Sequence, residues 1–362
     1  MNQKKTNQKA GQDCCIFIKI AALFILTVFL SSCSSGFFYS ANAASGFDFF
    51  NVINKIPEEE NNITPVVLFT YTDEPLYAML SLINAAGETI DCAFYDLKHP
   101  DIINALIQSS ADVRLVLDFQ NYMKNNNMKT EEGIFLNQSS KIKFGEKNIQ
   151  MHHKFCIFDE KVVLTGSLNP TERGFHKNDN NIIIISSDLI ANNYINEFEY
   201  LWNERKKKNK YNKNVYLNGI MIENYFCPAD CSHTIYTKLI DAANESVYFM
   251  TFSFTKEEIG DSLVFAHERG IEVKGVFERT QNNQWTQKNK LDEAGIDAKW
   301  DLNPANMHNK IFIIDRSVII TGSANPSNNG FTRNDENILI LHDKSIAEQF
   351  LLEFDRVYGE MY

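Results

Sequence analysis

A histidine, a lysine two residues later, an aspartate five further on and then Gly-Ser-x-Asn occur twice in this chain of 362 residues. The first set is His152, Lys154, Asp159, Gly166-Ser167 and Asn169. The second is His308, Lys310, Asp315, Gly322-Ser323 and Asn325, every position 156 residues further on. An imidazole can attack or carry a proton near neutral pH, an ammonium can neutralise a non-bridging oxygen, and a carboxamide can donate to one. One set is therefore half of a phosphate site. Two sets facing each other would surround one tetrahedral anion with two histidines, two cations and two amides. In that scheme one imidazole attacks and the other protonates the leaving oxygen, without metal or cofactor. The cysteines and histidines show no zinc-ligand spacing, and the side chains of the neighbours His152 and His153 would diverge on a strand.

The elements that must position these groups are legible around them. Residues 154–158 and 162–165 read as two buried strands joined at Asp159-Glu160-Lys161, and 311–314 and 318–321 read as the same around Asp315-Arg316. Alternation along a strand puts His152 and Lys154 on one face. Asp159 and Asp315 sit at the turns, where bonding the turn backbone competes with catalysis as their role. Upstream, the pattern predicts a strand over 66–71, a helix through 77–83, a strand over 89–95, a helix near 102–109 and a strand over 113–118. Leu239-Ile240-Asp241-Ala242-Ala243 repeats Leu82-Ile83-Asn84-Ala85-Ala86, and the run ending at Glu278 parallels the run ending at Asp118. Strands alternating with helices, duplicated over this length, predict an α/β chain of two similar halves. We assign 63–203 to the first half and 216–362 to the second. The basic run 204–215 is expected as a solvated helix end and linker, a patch for polyanions or anionic membrane being the competing reading.

The net charge is −11, and the leader's four lysines against one aspartate leave the remainder near −14. Such a body has little nonspecific affinity for nucleic acid. Residues 1–33 are expected to be an export signal. Lysines precede an apolar run over 20–30 that is short for a membrane span, and Leu30-Ser31-Ser32-Cys33 resembles the lipobox of bacterial lipoproteins, in which the cysteine is lipidated. Ordinary cleavage after Ala41-Asn42-Ala43 and an uncleaved anchor are the alternatives, and all three place the body outside the cytoplasm. Residues 34–62 read as a tether. Cys92 and Cys156 lie in apolar runs and are expected as small buried hydrophobes. For Cys227 and Cys231 a short disulfide and two free thiols both remain open.

The doubled His-x-Lys-x4-Asp-x6-Gly-Ser-x-Asn pattern resembles that of the phospholipase D superfamily, over about 64–360. The resemblance implies two tandem α/β/α sandwich repeats related by a pseudo-twofold axis, with the active site at their interface. It also implies metal-independent phosphodiester cleavage through a covalent phosphohistidine that water or an alcohol resolves. His152 would be the nucleophile and His308 the general acid and base, with Lys154, Lys310, Asn169 and Asn325 as phosphate ligands beside Ser167 and Ser323. Glu336 resembles the family's acidic residue that hydrogen-bonds a catalytic histidine, whereas Asn180 holds the equivalent place in the first half. The two histidines are therefore expected to be unequal. A phospholipid headgroup phosphodiesterase or transphosphatidylase is the first reading, with an endonuclease or a cardiolipin synthase-like transferase as alternatives. A noncatalytic phosphate-binding protein fits poorly with two intact motifs. Both half-sites in one chain lead to the expectation of a monomer.

Overall fold

A computed structural model describes residues 63–124, 141–206 and 210–359. The expected export signal with Cys33 and the tether lie outside the described residues.

The first repeat is built on a seven-stranded sheet of order β1-β7-β6-β5-β2-β3-β4. Its strands are β1 (Val66–Phe69), β2 (Thr89–Phe94), β3 (Asp112–Leu117), β4 (Ile142–Phe144), β5 (Lys154–Phe158), β6 (Val162–Gly166) and β7 (Asn181–Ser186). The central strands are apolar on both faces because both faces are covered. Ala93, Val116, Phe155, Ile157 and Val163 point to one side, Cys92, Leu115, Cys156, Phe158 and Leu164 to the other. β2 and β3 run parallel and need a crossover, which α2 (Pro100–Gln108) supplies after α1 (Pro75–Ala85).

The second repeat has an eight-stranded sheet of order β12-β11-β10-β13-β14-β15-β9-β8. Its strands are β8 (Asn214–Leu217), β9 (Ile220–Cys227), β10 (Ser246–Thr251), β11 (Glu272–Phe277), β12 (Asp297–Trp300), β13 (Lys310–Ile314), β14 (Val318–Gly322) and β15 (Glu336–His342). β10 to β15 reproduce β2 to β7 in order and pairing, and β9 takes the place of β1 beside the last strand. β8 begins at Asn214, inside the stretch read as linker, because the 214–217 segment closes the sheet edge against β9.

Each sheet carries an outer apolar cluster under its own helices. The inner faces of both sheets share a third cluster with the long helices α5 (Asp188–Trp202) and α10 (Lys344–Tyr358). Phe155, Ile185 and Phe198 of the first repeat belong to it together with Ile311, Leu339 and Phe350 of the second. The repeats are thus one body with a common core. Near the pseudo-twofold axis they exchange matched hydrogen bonds: Asn181 Nδ2 donates to Thr321 Oγ1 and Asn337 Nδ2 to Thr165 Oγ1, each at 3.1 Å.

Two cysteine readings change. Cys92 and Cys156, expected as separate hydrophobes, face each other in the β2–β5 register with Cα atoms 4.1 Å apart and form a disulfide. Antiparallel pairing of strands distant in sequence created that contact. Cys227 and Cys231 also form a disulfide, which resolves the open alternative.

Candidate active site

The histidines lie just before β5 and β13, and each is fixed by the main chain of the other repeat. His152 N donates to Asp335 O at 2.9 Å, and Asp335 N donates back to Gln150 O at 2.9 Å. In the mirrored half, His308 N donates to Asp179 O at 2.8 Å and Asp179 N to Asn306 O at 2.9 Å. A carboxylate just past β3 or β11, two strands away in the sheet, holds the preceding residue. Asp118 Oδ2 accepts from Met151 N at 2.9 Å and Glu278 Oε2 from Met307 N at 2.7 Å. Arg205 pairs with the Asp335 carboxylate and Arg356 with that of Asp179, so the crossing segments are themselves tied to the far side of the core.

The imidazoles project into the interface. His152 Nδ1 meets Glu336 Oε2 at 2.8 Å. His308 Nδ1 instead meets Asn180 Oδ1 at 3.0 Å and Ser167 O at 3.1 Å. Engaging Nδ1 leaves Nε2 of each ring for chemistry. Each histidine keeps a narrow opening to solvent, with 7% exposure at His152 and 8% at His308. Lys154 Nζ donates to His152 O and Lys310 Nζ to His308 O, both at 2.6 Å. Tyr95 stands edge-on to His152 and Phe252 to His308, both with ring centroids at 4.8 Å, and the same rings lie near the Lys154 and Lys310 ammonium groups.

Burial works against every charge in this pocket. It pushes Lys154 down to about 7, with Glu336 acting in the opposite direction, and drives Lys310 well below its ordinary range, reinforced by the Lys154 ammonium. Burial also lowers both imidazoles, with the two lysines adding to the effect. The Glu336 carboxyl rises to about 7 for the same reason, against the pull of Lys154. Burial thus disfavours the charged form of both imidazoles and both lysines, and places Lys154 near neutrality.

The remaining expected residues divide. Asn169 and Asn325 follow β6 and β14 and are half-buried. Asn169 Oδ1 is buried without a hydrogen-bond partner, while Asn325 Oδ1 accepts from Ser253 N at 3.3 Å. Ser167 and Ser323 are fully buried, and their hydroxyls accept from Asn181 N and Asn337 N, so they brace the strands and do not face a ligand. Asp159 and Asp315 do not join the pocket. Asp159 accepts from the backbone N–H groups of Gly87, Glu88 and Thr89, and Asp315 from those of Asn244, Glu245 and Ser246. They sit at positive φ in tight hairpin turns, which an aspartate tolerates, and tie each turn to the neighbouring strand. Although burial acts upward, these donors hold both carboxyls below the usual range. Sequence reasoning missed the bracing by Asp118, Glu278, Arg205 and Arg356. The recurrence of an acid at the end of equivalent strands was the available signal for the first two.

A family model described as "Cardiolipin synthase, PLD-like domain" matches residues 79–202 and again 236–358. The chain belongs to the phospholipase D superfamily. Among curated phospholipase D-like proteins it is similar to "Phospholipase D" of Rickettsia felis, 36% identical over 125 residues that make up 34% of this chain and 62% of that one. It is also similar to human "Mitochondrial cardiolipin hydrolase", 33% identical over 33% of this chain and 48% of the relative. The chain thus spans about half to three-fifths of the length of these relatives. The phosphatidylserine synthase of Haemophilus influenzae shares the two-repeat fold at 12% identity, with a TM-score of 0.63 over 86% of this chain and 91% of that one.

Proposed function

We propose that this phospholipase D-like protein is a phosphodiesterase of phospholipid headgroups in which His152 is the nucleophile. The observation that carries the assignment is the one-sided carboxylate: Glu336 lies on His152 Nδ1, and only an amide lies on His308. Glu336 fixes the tautomer that leaves the Nε2 lone pair free and stabilises positive charge as the ring is phosphorylated. The incoming phosphodiester anion favours the cationic form of His308, whose Nδ1–H is donated to Asn180 Oδ1 and Ser167 O. His152 Nε2 then attacks phosphorus while the His308 imidazolium gives its Nε2 proton to the headgroup oxygen, which departs as an alcohol. His308, now neutral, takes a proton from water, whose oxygen attacks phosphorus and expels His152. Lys154 and Lys310 neutralise the non-bridging oxygens, and a phosphodiester anion brings the negative charge that keeps both ammonium groups protonated. Asn169 supplies a further polar contact. Both half-sites lie in one chain, so the protein acts as a monomer.

The relatives' names support a lipid or related phosphodiester substrate. Two disulfides fit an oxidising compartment and support export, with lipidation at Cys33 holding the body on a membrane surface. The test is incubation of the protein lacking its first 33 residues with phosphatidylcholine or phosphatidylglycerol vesicles and, separately, with single- and double-stranded DNA, with and without EDTA. Choline or glycerol release that His152→Ala abolishes supports the proposal. DNA cleavage without lipid turnover would replace it with the endonuclease reading.

A further inference from the structure

His99 is distant in sequence from Glu172 and His176, yet each of the three offers a ligand atom within 4.8 Å of the others. His99 is the N-cap residue of α2 but its side chain makes no capping bond, and Glu172 and His176 share one face of the single-turn helix α4 (Glu172–His176), which follows Asn169. The His99 ring is only 3% exposed, packed edge-on against Phe175 at 5.2 Å. Its Nδ1 has no hydrogen-bond partner, and its Nε2 faces Glu172 Oε2 at 3.4 Å, beyond an ordinary hydrogen bond. An imidazole so deeply buried and so little used within the chain needs another partner.

The second repeat shows what belongs there. His99 N and Lys98 N donate to Pro170 O, and in the matching loop Lys256 N and Thr255 N donate to Pro326 O. Lys256 therefore occupies the His99 place and Asn328 the Glu172 place. There the Lys256 ammonium lies on Asn328 Oδ1 at 2.8 Å. One repeat thus sets an ammonium on an amide, and the other has an imidazole in place of the ammonium and a carboxylate in place of the amide.

We propose that His99, Glu172 and His176 bind a divalent transition ion of the zinc class, which clamps α4 to the loop leaving β2. Two imidazoles and one carboxylate suit zinc, whose ligands at about 2.0–2.2 Å in a tetrahedron stand about 3.3–3.6 Å apart. The His99–Glu172 pair already meets that spacing. Exposed Glu172 and His176 leave a fourth position to water. The site lies outside the phosphodiesterase pocket and has a structural role, bracing the segments that carry Tyr95 and Asn169.

The test uses the full-length chain in detergent micelles, stripped with EDTA, desalted and titrated with zinc sulfate by calorimetry, with thermal melts in parallel. Wild type should take up one zinc per chain and melt higher when loaded. Glu172→Gln with His176→Gln changes exposed groups only. It should fold, weaken binding at least about 100-fold and lose the melting shift. His99→Lys with Glu172→Asn copies the second repeat and should melt independently of zinc. No uptake by wild type, or equal uptake by the Glu172/His176 variant, would overturn the proposal.

Discussion

Glu336 of the second repeat lies 2.8 Å from the Nδ1 atom of His152 in the first, and no carboxylate stands in that relation to His308. A carboxylate one methylene longer at position 336 and an amide at position 180 make two otherwise matched histidines unequal. Glu336→Gln should lower kcat/KM for headgroup release by about 10²–10³-fold, and Asn180→Asp by less than tenfold. Steady-state kinetics on vesicles decide, and the reverse order would exchange the roles of the histidines.

A trapped intermediate distinguishes nucleophile from acid. A p-nitrophenyl phosphodiester needs no protonation of its leaving group, so His308→Asn should still release nitrophenolate once but hydrolyse the adduct slowly. Acid-labile phosphorus should then accumulate on the His308→Asn protein and be found on His152. His152→Asn should show neither burst nor adduct, and an adduct at any other residue refutes the assignment.

Neutral pH should tune anion binding. Lys154 titrates at about 7 in the folded protein, and an anion favours its protonated form. Sulfate, which stays dianionic, should inhibit more weakly as pH rises, with Ki climbing about tenfold per unit above 7 until the bound-state pKa is reached. A flat profile from pH 6 to 8.5 would contradict it. The same groups set a sign for stability. Glu336 is raised from 4.5 to about 7, so its contribution is complete below 4.5 and is lost as pH rises through 7. Lys154 is lowered from 10.5, so its penalty is complete below 7 and is relieved between 7 and 10.5. Together they place a stability minimum near pH 7, which Glu336→Gln should make shallower.

Asp159→Asn should damage the fold and spare the chemistry. The carboxylate accepts three backbone N–H bonds outside the pocket, and weakening them should cost about 1–3 kcal/mol in urea unfolding. Turnover per folded molecule should stay within about twofold of wild type, whereas a loss comparable to that of Glu336→Gln would return Asp159 to the active site.

The disulfide between Cys92 and Cys156 joins strands separated by 64 residues. Replacing both cysteines with alanine should lower unfolding free energy by about 2–4 kcal/mol. An unchanged urea midpoint would show the cross-link to be dispensable.

Much of this was written locally in the chain. Short continuous apolar runs identified β5, β6 and their repeats, and the short spacings put each histidine beside its lysine. Glu336 was found by comparing the two repeats position by position. What escaped was whatever depends on register between distant strands or on contact across the core. Cys92 and Cys156 each look like ordinary core residues until antiparallel pairing sets them opposite one another. Arg205 reads as part of a solvated basic run, yet the end of α5 turns it inward onto Asp335. His99, Glu172 and His176 lack metal spacing because their meeting depends on one loop packing against a single helical turn.

Each histidine is clamped by the main chain of the opposite repeat, and a substitution at position 180 or 336 changes the Nδ1 partner of one imidazole and not that of the other. In a pocket assembled from two identical polypeptides, any such change would appear on both sides at once. Tandem linkage therefore permits a chemical handedness that no symmetric pair could encode: a carboxylate on one imidazole and an amide on the other.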